Sequence, residues 1–141
     1  TTGLTPTEMN VKNNSFEREY EPLIFRIGRD VAETYERIDR RVDIMMEAGL
    51  AAEAEELWRD GLASAPTASQ AIGYKELFPY FEGKASLDDC VSLIKQHSRN
   101  YAKRQISFFG ADKDINKIAV TGKDLPCIIN EAEKLTGGLL L

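Results

Sequence analysis

Arg99, Lys103 and Arg104 stand beside Tyr101, Gln105, Phe108 and Phe109, and no carboxylate interrupts residues 95–109. The whole chain is formally −5, yet residues 95–104 hold four cations and no anion, which leaves the remainder at −9. A cationic, aromatic-flanked block on an otherwise acidic protein suits contact with a phosphate backbone. Charge alone fits a second reading equally well, a solvated helix end whose cations complement the macrodipole.

A second group of cations lies earlier, at Arg37, Arg40 and Arg41. Arg37 and Arg41 are four residues apart and therefore share one helix face. The planar guanidinium fork matches the oxygens of a diphosphate and stays charged in any surroundings. Glu33, Glu36 and Asp43 lie close enough to neutralise the group instead. For Arg40 that pairing is the expectation, and for Arg41 periodicity leaves both roles open.

Other chemistries lack their parts. His97 is the sole histidine, no CxxC occurs, and no cluster has metal-ligand spacing, so no metal site is expected. The same shortage argues against a Ser–His or Cys–His nucleophile, and His97 reads as an ordinary polar-face residue. Cys90 and Cys127 sit in apolar contexts and read as reduced core residues of a cytosolic protein. Gly83-Lys84-Ala85 and Gly122-Lys123-Asp124 lack the glycine spacing and the following Ser or Thr of a phosphate loop, and read as turns. No apolar run approaches the roughly 20 residues that span a bilayer, so no membrane partner is expected.

These residues need positioning elements. With 141 residues, 43% hydrophobic and 29% charged, the chain is one soluble domain's worth. Thr1-Thr2-Gly3-Leu4 carries neither an initiator Met nor a signal peptide, and reads as a cut through a longer chain. Thr5-Pro6-Thr7-Glu8 predicts a helix start, and residues 10–19 a mobile loop. Residues 22–27 predict a buried strand ended by Gly28. Asp30 with Glu33 predicts a capping box opening a helix that carries Val31, Tyr35, Ile38, Val42, Met45 and Met46, ended by Gly49. A second helix is expected over residues 51–60, then a loop over 62–69. That loop leads into Gln70-Ala71-Ile72-Gly73-Tyr74-Lys75, and a helix is expected through Phe81, bent or ended near Pro79. Ser86 with Asp89 opens the longest helix, expected to bury Leu87, Cys90, Val91, Ile94 and Tyr101. Ile118-Ala119-Val120 suggests a short strand, and Pro126 opens a last helix through Lys134. The expectation is a mainly α protein with one or two short β-strands lacking partners within the chain.

Several blocks, in order, resemble the C-terminal part of tRNA dimethylallyltransferase, also called tRNA isopentenyltransferase. They are Tyr35-Glu36-Arg37-Ile38-Asp39-Arg40-Arg41-Val42-Asp43, Met46-Glu47-Ala48-Gly49-Leu50, Gln70-Ala71-Ile72-Gly73-Tyr74-Lys75-Glu76, and Arg99-Asn100-Tyr101-Ala102-Lys103-Arg104-Gln105. Tyr80, Gly83, Ser86-Leu87 and the early Thr2-Gly3-Leu4-Thr5 with Glu8 extend the likeness over nearly the whole chain. The resemblance implies the C-terminal part of a P-loop α/β transferase fold. Residues 1–19 would be the end of an insertion region and a mobile loop, and residues 20–141 the helical part of the catalytic core. The implied reaction moves a dimethylallyl group from its diphosphate to the exocyclic amine of the adenosine 3′ of the tRNA anticodon. Magnesium would assist the diphosphate, and the base would be flipped into a channel.

Carried over by motif position, Arg41 resembles the family's diphosphate-contacting arginine. Residues 65–70, with Ser69 and Gln70, and residues 98–105, with Ser98, Arg99, Lys103, Arg104 and Gln105, resemble its tRNA-contacting stretches. Arg99, Lys103 and Arg104 would grip phosphates, and Gln70 and Gln105 would bond the unpaired anticodon loop. The family's ATP-type phosphate loop and its general-base Asp match nothing here and would lie upstream, which leaves this chain inert alone. After Gln105 the family commonly has Thr-Trp-Phe-Arg, whereas this chain has Ser107-Phe108-Phe109-Gly110. Two alternatives stand beside this reading. One is a non-catalytic helical RNA-binding module. The other is an adenylate isopentenyltransferase acting on a free nucleotide, against which the basic block speaks.

Overall fold

Thr121 lends its hydroxyl to the backbone N–H of Asp30, 2.9 Å away, and so ties the start of the first helix to a turn 91 residues later. The computed structural model describes Thr5, residues 23–112 and residues 115–137. The helix start expected at Thr5-Pro6-Thr7-Glu8 and the loop at 10–19 lie outside the described residues.

Strand β1 (Ile24–Gly28) leads into helix α1 (Val31–Glu47), followed by α2 (Leu50–Arg59). Three single 3-10 turns, Leu62–Ser64, Ala68–Gln70 and Lys75–Leu77, carry the chain to the one-turn α3 (Phe78–Phe81). The 25-residue α4 (Leu87–Ala111) crosses back, β2 (Ile115–Ala119) follows, and α5 (Leu125–Leu135) closes the order. Among the described residues no helix is long and apolar enough to cross a membrane.

The expected capping box at Asp30 is replaced. Asp30 makes no side-chain cap bond, its N–H is taken by Thr121, and Glu33 is held sideways by Arg29 and Arg37. Gly49 ends α1 as expected, at φ 100, a left-handed conformation open to glycine at little cost. At the head of α4, Ser86 Oγ accepts the N–H of Asp89 at 3.1 Å. Asp124 does the same for Cys127 at the head of α5, 3.0 Å away.

Val42 of α1, Leu50 and Ala54 of α2, Leu77, and Cys90 and Ile94 of α4 form the buried core. Met45, Met46, Tyr74, Phe81 and Val91 pack on its rim, and Trp58 meets Phe81 with ring centroids 5.7 Å apart. Tyr101 does not join them. Beyond Ile94 the helix outruns the core, and Tyr101 is 50% exposed. Cys127 is also exposed, in the first turn of α5, so of the two free cysteines only Cys90 is a core residue.

The helix expected through Phe81 is reduced to a 3-10 turn and the single turn of α3, and Pro79 sits at the start of α3 rather than bending or ending a helix. Gly73 adopts φ 108 and is itself buried, and its N–H donates to Glu76 Oε2 at 2.8 Å rather than to a helical carbonyl. The strands correct the sequence reading more deeply. They are partners, parallel, with Ile24 opposite Ile115 and Gly28 opposite Ala119. Parallel pairing needs a crossover, and here the whole helical body serves as that crossover, a long-range relation that local periodicity does not encode. Ile118 and Val120 are buried beneath the pair, while Ile24 and Ile27 remain exposed.

Candidate functional site

Where β1 ends and α1 begins, the two elements face the second half of α4 across a cleft of about 850 Å3. Five cations line it: Arg26, Arg29, Arg37, Arg41 and Lys117. Asp30 is the one carboxylate-bearing residue of the lining, and Ile27, Val31, Ile38, Ile106 and Phe109 form its apolar wall. The site thus combines strong positive charge with a hydrophobic flank, the pattern that receives an anion with an apolar tail.

The cations are not equivalent. Arg29 is ion-paired with Glu33, and Arg37 Nη1 lies 3.6 Å from the same carboxylate oxygen. Arg41 makes no ion pair among the described residues and faces the cleft together with Gln105 of α4. The structure therefore brings Arg41 and Gln105, both singled out from sequence, to one place. Arg40, expected to pair with a neighbouring carboxylate, makes no ion pair among the described residues. Glu33 is held by Arg29 and Arg37, and Asp43 by Lys95.

The basic block of α4 divides in two. Lys95 Nζ lies 2.6 Å from Asp43, and Arg99 is ion-paired with Asp39. These two cations lock α4 to α1. Lys103 and Arg104 lie a turn further on, exposed and without an ion pair among the described residues. The Arg104 guanidinium sits 5.7 Å over the ring of Tyr101, a cation–π contact that orients it without neutralising it. Ser98 is half-buried, and Gln105 is exposed.

Ser69 is buried while Gln70 is exposed, and Gln70 Nε2 donates to Ser69 Oγ at 3.4 Å. A tie from this turn to α4 escaped the sequence reading. Buried Glu76 accepts from Gly73 N–H through Oε2 at 2.8 Å, and its Oε1 lies 2.7 Å from His97 Nδ1. His97, expected to be an ordinary polar-face residue, instead anchors the glycine turn to the helix that carries the basic block. Tyr74 adds a second tie, its hydroxyl donating to Glu53 at 2.7 Å. That bond, with burial and the Glu53 charge behind it, raises the phenol above its usual pKa. Burial likewise raises the Cys90 thiol. Gly83 and Gly122 fall in turns.

Arg26 and Lys117 also escaped the sequence reading. The one signal was a single arginine inside an otherwise apolar strand. Among the described residues no three Asp, Glu, His or Cys side chains group into an all-protein metal cage. Asp30 is the one carboxylate-bearing residue of the cleft lining, so a Mg2+ held there would take its remaining ligands from substrate phosphate and water.

The cationic, apolar-walled cleft thus lies beside a helix whose Lys103 and Arg104 make no ion pair among the described residues. Comparison with known proteins gives the family. The model of the IPP transferase family matches residues 1–112. A tRNA dimethylallyltransferase of Lacticaseibacillus casei is 54% identical over 90 residues, which cover 64% of this chain and 29% of that protein. That of Ligilactobacillus salivarius is 42% identical over 124 residues, covering 88% and 38%. The crystal structure of the full-length tRNA isopentenylpyrophosphate transferase of Bacillus halodurans superimposes with a TM-score of 0.79 at 30% identity, over 94% of this chain and 43% of that one. The corresponding protein of Staphylococcus epidermidis gives 0.74 at 34% identity, over 92% and 42%. The chain belongs to the IPP transferase family. It spans less than half the length of each of these relatives.

Proposed function

We propose that this chain is the C-terminal part of a tRNA dimethylallyltransferase, and that the complete protein prenylates the adenosine 3′ of the anticodon in tRNA. The observation that carries the reading is the meeting of Arg41 and Gln105 in one cationic, apolar-walled cleft, in a chain of this family. In the reaction the C1–O bond of dimethylallyl diphosphate breaks and a C–N bond forms at the exocyclic amine. Pyrophosphate leaves with the bonding electrons, and the amine gives up a proton.

The residues of this chain act on the charge and on the RNA. Arg41 stabilises the negative charge that grows on the departing diphosphate, an effect strongest in a site shielded from water. Lys103 and Arg104 hold backbone phosphates and set the register of the RNA. Gln70 and Gln105 bond the unpaired loop, with Ser69 and Ser98 shaping their surroundings. Arg99, being ion-paired with Asp39, fixes α4 against α1 and so aims the two free cations. In this reading the phosphate loop and the base that accepts the amine proton come from the rest of the complete protein. A tRNA substrate makes the cytoplasm the compartment of the reaction.

Transfer of labelled dimethylallyl from its diphosphate to an anticodon stem-loop RNA tests the reading. The complete protein is expected to label the RNA and not free AMP, whereas residues 1–141 alone are expected to bind the RNA and transfer nothing. Labelling of AMP alone would make it an adenylate isopentenyltransferase. RNA binding by the complete protein without transfer would make it a binding module.

A further inference from the structure

Arg26 is the one charged residue of β1, and its side chain leaves the sheet for the far end of α4. There Nη1 donates to the carbonyl of Ile106 at 3.1 Å. The same nitrogen lies 3.3 Å from where a Cβ on Gly110 would stand. Gly110 is the position at which the resemblance leads one to expect an arginine on the helix. In this chain the helix offers no side chain there, and a guanidinium arrives at the same spot from the strand.

Two further observations bear on what that guanidinium does. A guanidinium carries five N–H donors, and the bond to Ile106 engages Nη1. Arg26 makes no ion pair among the described residues, and it lines the same cleft as Arg41. One cation enters from the strand and the other from α1, with Ile27, Ile106 and Phe109 as apolar neighbours. An RNA backbone would instead run along the open face that carries Lys103 and Arg104. A concave site of about 850 Å3 with cations from two elements and an apolar wall suits a small amphiphilic diphosphate.

We propose that Arg26 is a second diphosphate-binding residue, delivered from β1 into the space that glycine at position 110 leaves open. The proposal rests on the reading of the cleft as a diphosphate site. A purely structural role is the competing account, since α4 has no basic residue in its last turn and Arg26 complements its carbonyl end. The two accounts separate at Arg26→Gln, because glutamine can still donate to the Ile106 carbonyl but brings no charge.

The experiment is calorimetric titration of inorganic pyrophosphate, and then of dimethylallyl diphosphate, into the complete protein at low salt, with a thermal melt of each variant. Arg26→Gln is expected to weaken pyrophosphate binding by roughly tenfold or more, the scale of one charge-assisted contact. Adding Gly110→Arg to Arg26→Gln should restore the affinity to within about threefold of wild type, since the same fork returns from the other side. Arg59→Ala, whose arginine is paired with Glu55 on α2, should leave it unchanged. Wild-type affinity in Arg26→Gln overturns the proposal. So does a Gly110→Arg rescue that restores melting but not affinity. Recovered affinity without recovered melting supports it. If Arg41→Ala weakens binding while Arg26→Gln does not, only the role of Arg26 fails. If the wild-type protein takes up no pyrophosphate at all, the cleft reading falls as well.

Discussion

Arg99 of α4 is ion-paired with Asp39 of α1, 60 residues earlier in the chain. One helical turn back along α4 and one turn forward along α1, Lys95 meets Asp43. The two pairs form a ladder between the helices, so four cations that look alike in sequence split into two that build the structure and two that face outward.

The split predicts different phenotypes along one helix. Replacing Lys103 and Arg104 together by Ala should leave melting unchanged and weaken binding of an anticodon stem-loop RNA. The slope of log affinity against log salt should fall by roughly 0.7–0.9 for each RNA phosphate that is no longer neutralised. Arg99→Ala should instead lower melting, with a smaller change in salt slope. Fluorescence anisotropy over a salt series, beside thermal denaturation, reads both. A salt slope untouched by the double substitution would make Lys103 and Arg104 a solvated helix end.

Arg41 and Arg40 form a second contrast. Neighbours on a helix point about 100° apart, and only Arg41 lines the cleft. In the complete protein, Arg41→Ala should reduce turnover on the order of a hundredfold, the scale for losing one donor to developing charge. Arg40→Ala should stay within a few-fold of wild type, as for an exposed charge. Arg41→Lys should recover part of the loss, because a point charge lacks the fork. Steady-state kinetics at saturating tRNA decide it, and a larger effect at Arg40 would reverse the assignment.

Glu76 is buried yet holds both the Gly73 N–H and His97. Glu76→Ala leaves a buried backbone donor without its partner and should cost roughly 1–3 kcal/mol in urea unfolding. His97→Ala, at the half-exposed end of the tie, should cost less. Equal stability of Glu76→Ala and wild type would show that the tie adds nothing.

The two thiols should differ in reactivity. The Cys90 pKa is raised, chiefly by burial, which keeps the thiol protonated, whereas Cys127 is exposed. At about pH 8 iodoacetamide should modify Cys127 first, and Cys90 only on unfolding, since the thiolate is the attacking species. Peptide mass mapping over time reads the order. The raised Tyr74 phenol has an alkaline consequence of its own. A group whose folded pKa is raised contributes stability that is full below its unfolded pKa, near 10, and lost as pH rises through the folded one. Melting of wild type should therefore fall above that pH more steeply than melting of Tyr74→Phe.

Much of the fold is written in short-range signals. Ser86 with Asp89, Gly49, and Pro126 after Asp124 each specify a helix end through bonds made within a few residues. The core stripe Val42, Cys90 and Ile94 follows from helical period. What local pattern does not carry is pairing across distance. The choice of Asp39 by Arg99, of His97 by Glu76 and of β2 by β1 depends on how helices dock, and no spacing rule sees across 60 or 91 residues. The cleft shows the same limit. Arg41 and Gln105 were legible through motif, whereas Arg26 and Lys117 belong to the site only because two strands lie side by side.

The parallel strands also set an order of events during synthesis. β1 leaves the ribosome 91 residues before the partner that pairs with it, an interval on the order of 5–18 s at about 5–20 residues per second. During that interval the helical core from Val42 to Ile94 can assemble from nearer contacts, which close smaller loops and form faster. The sheet therefore sets after the helical core, with α5 still to follow. Because Lys117 arrives on β2 and Arg26 waits on β1, the cationic cleft is completed only at that late step, and nascent chains that stop before β2 should present the basic helix without the pocket beside it.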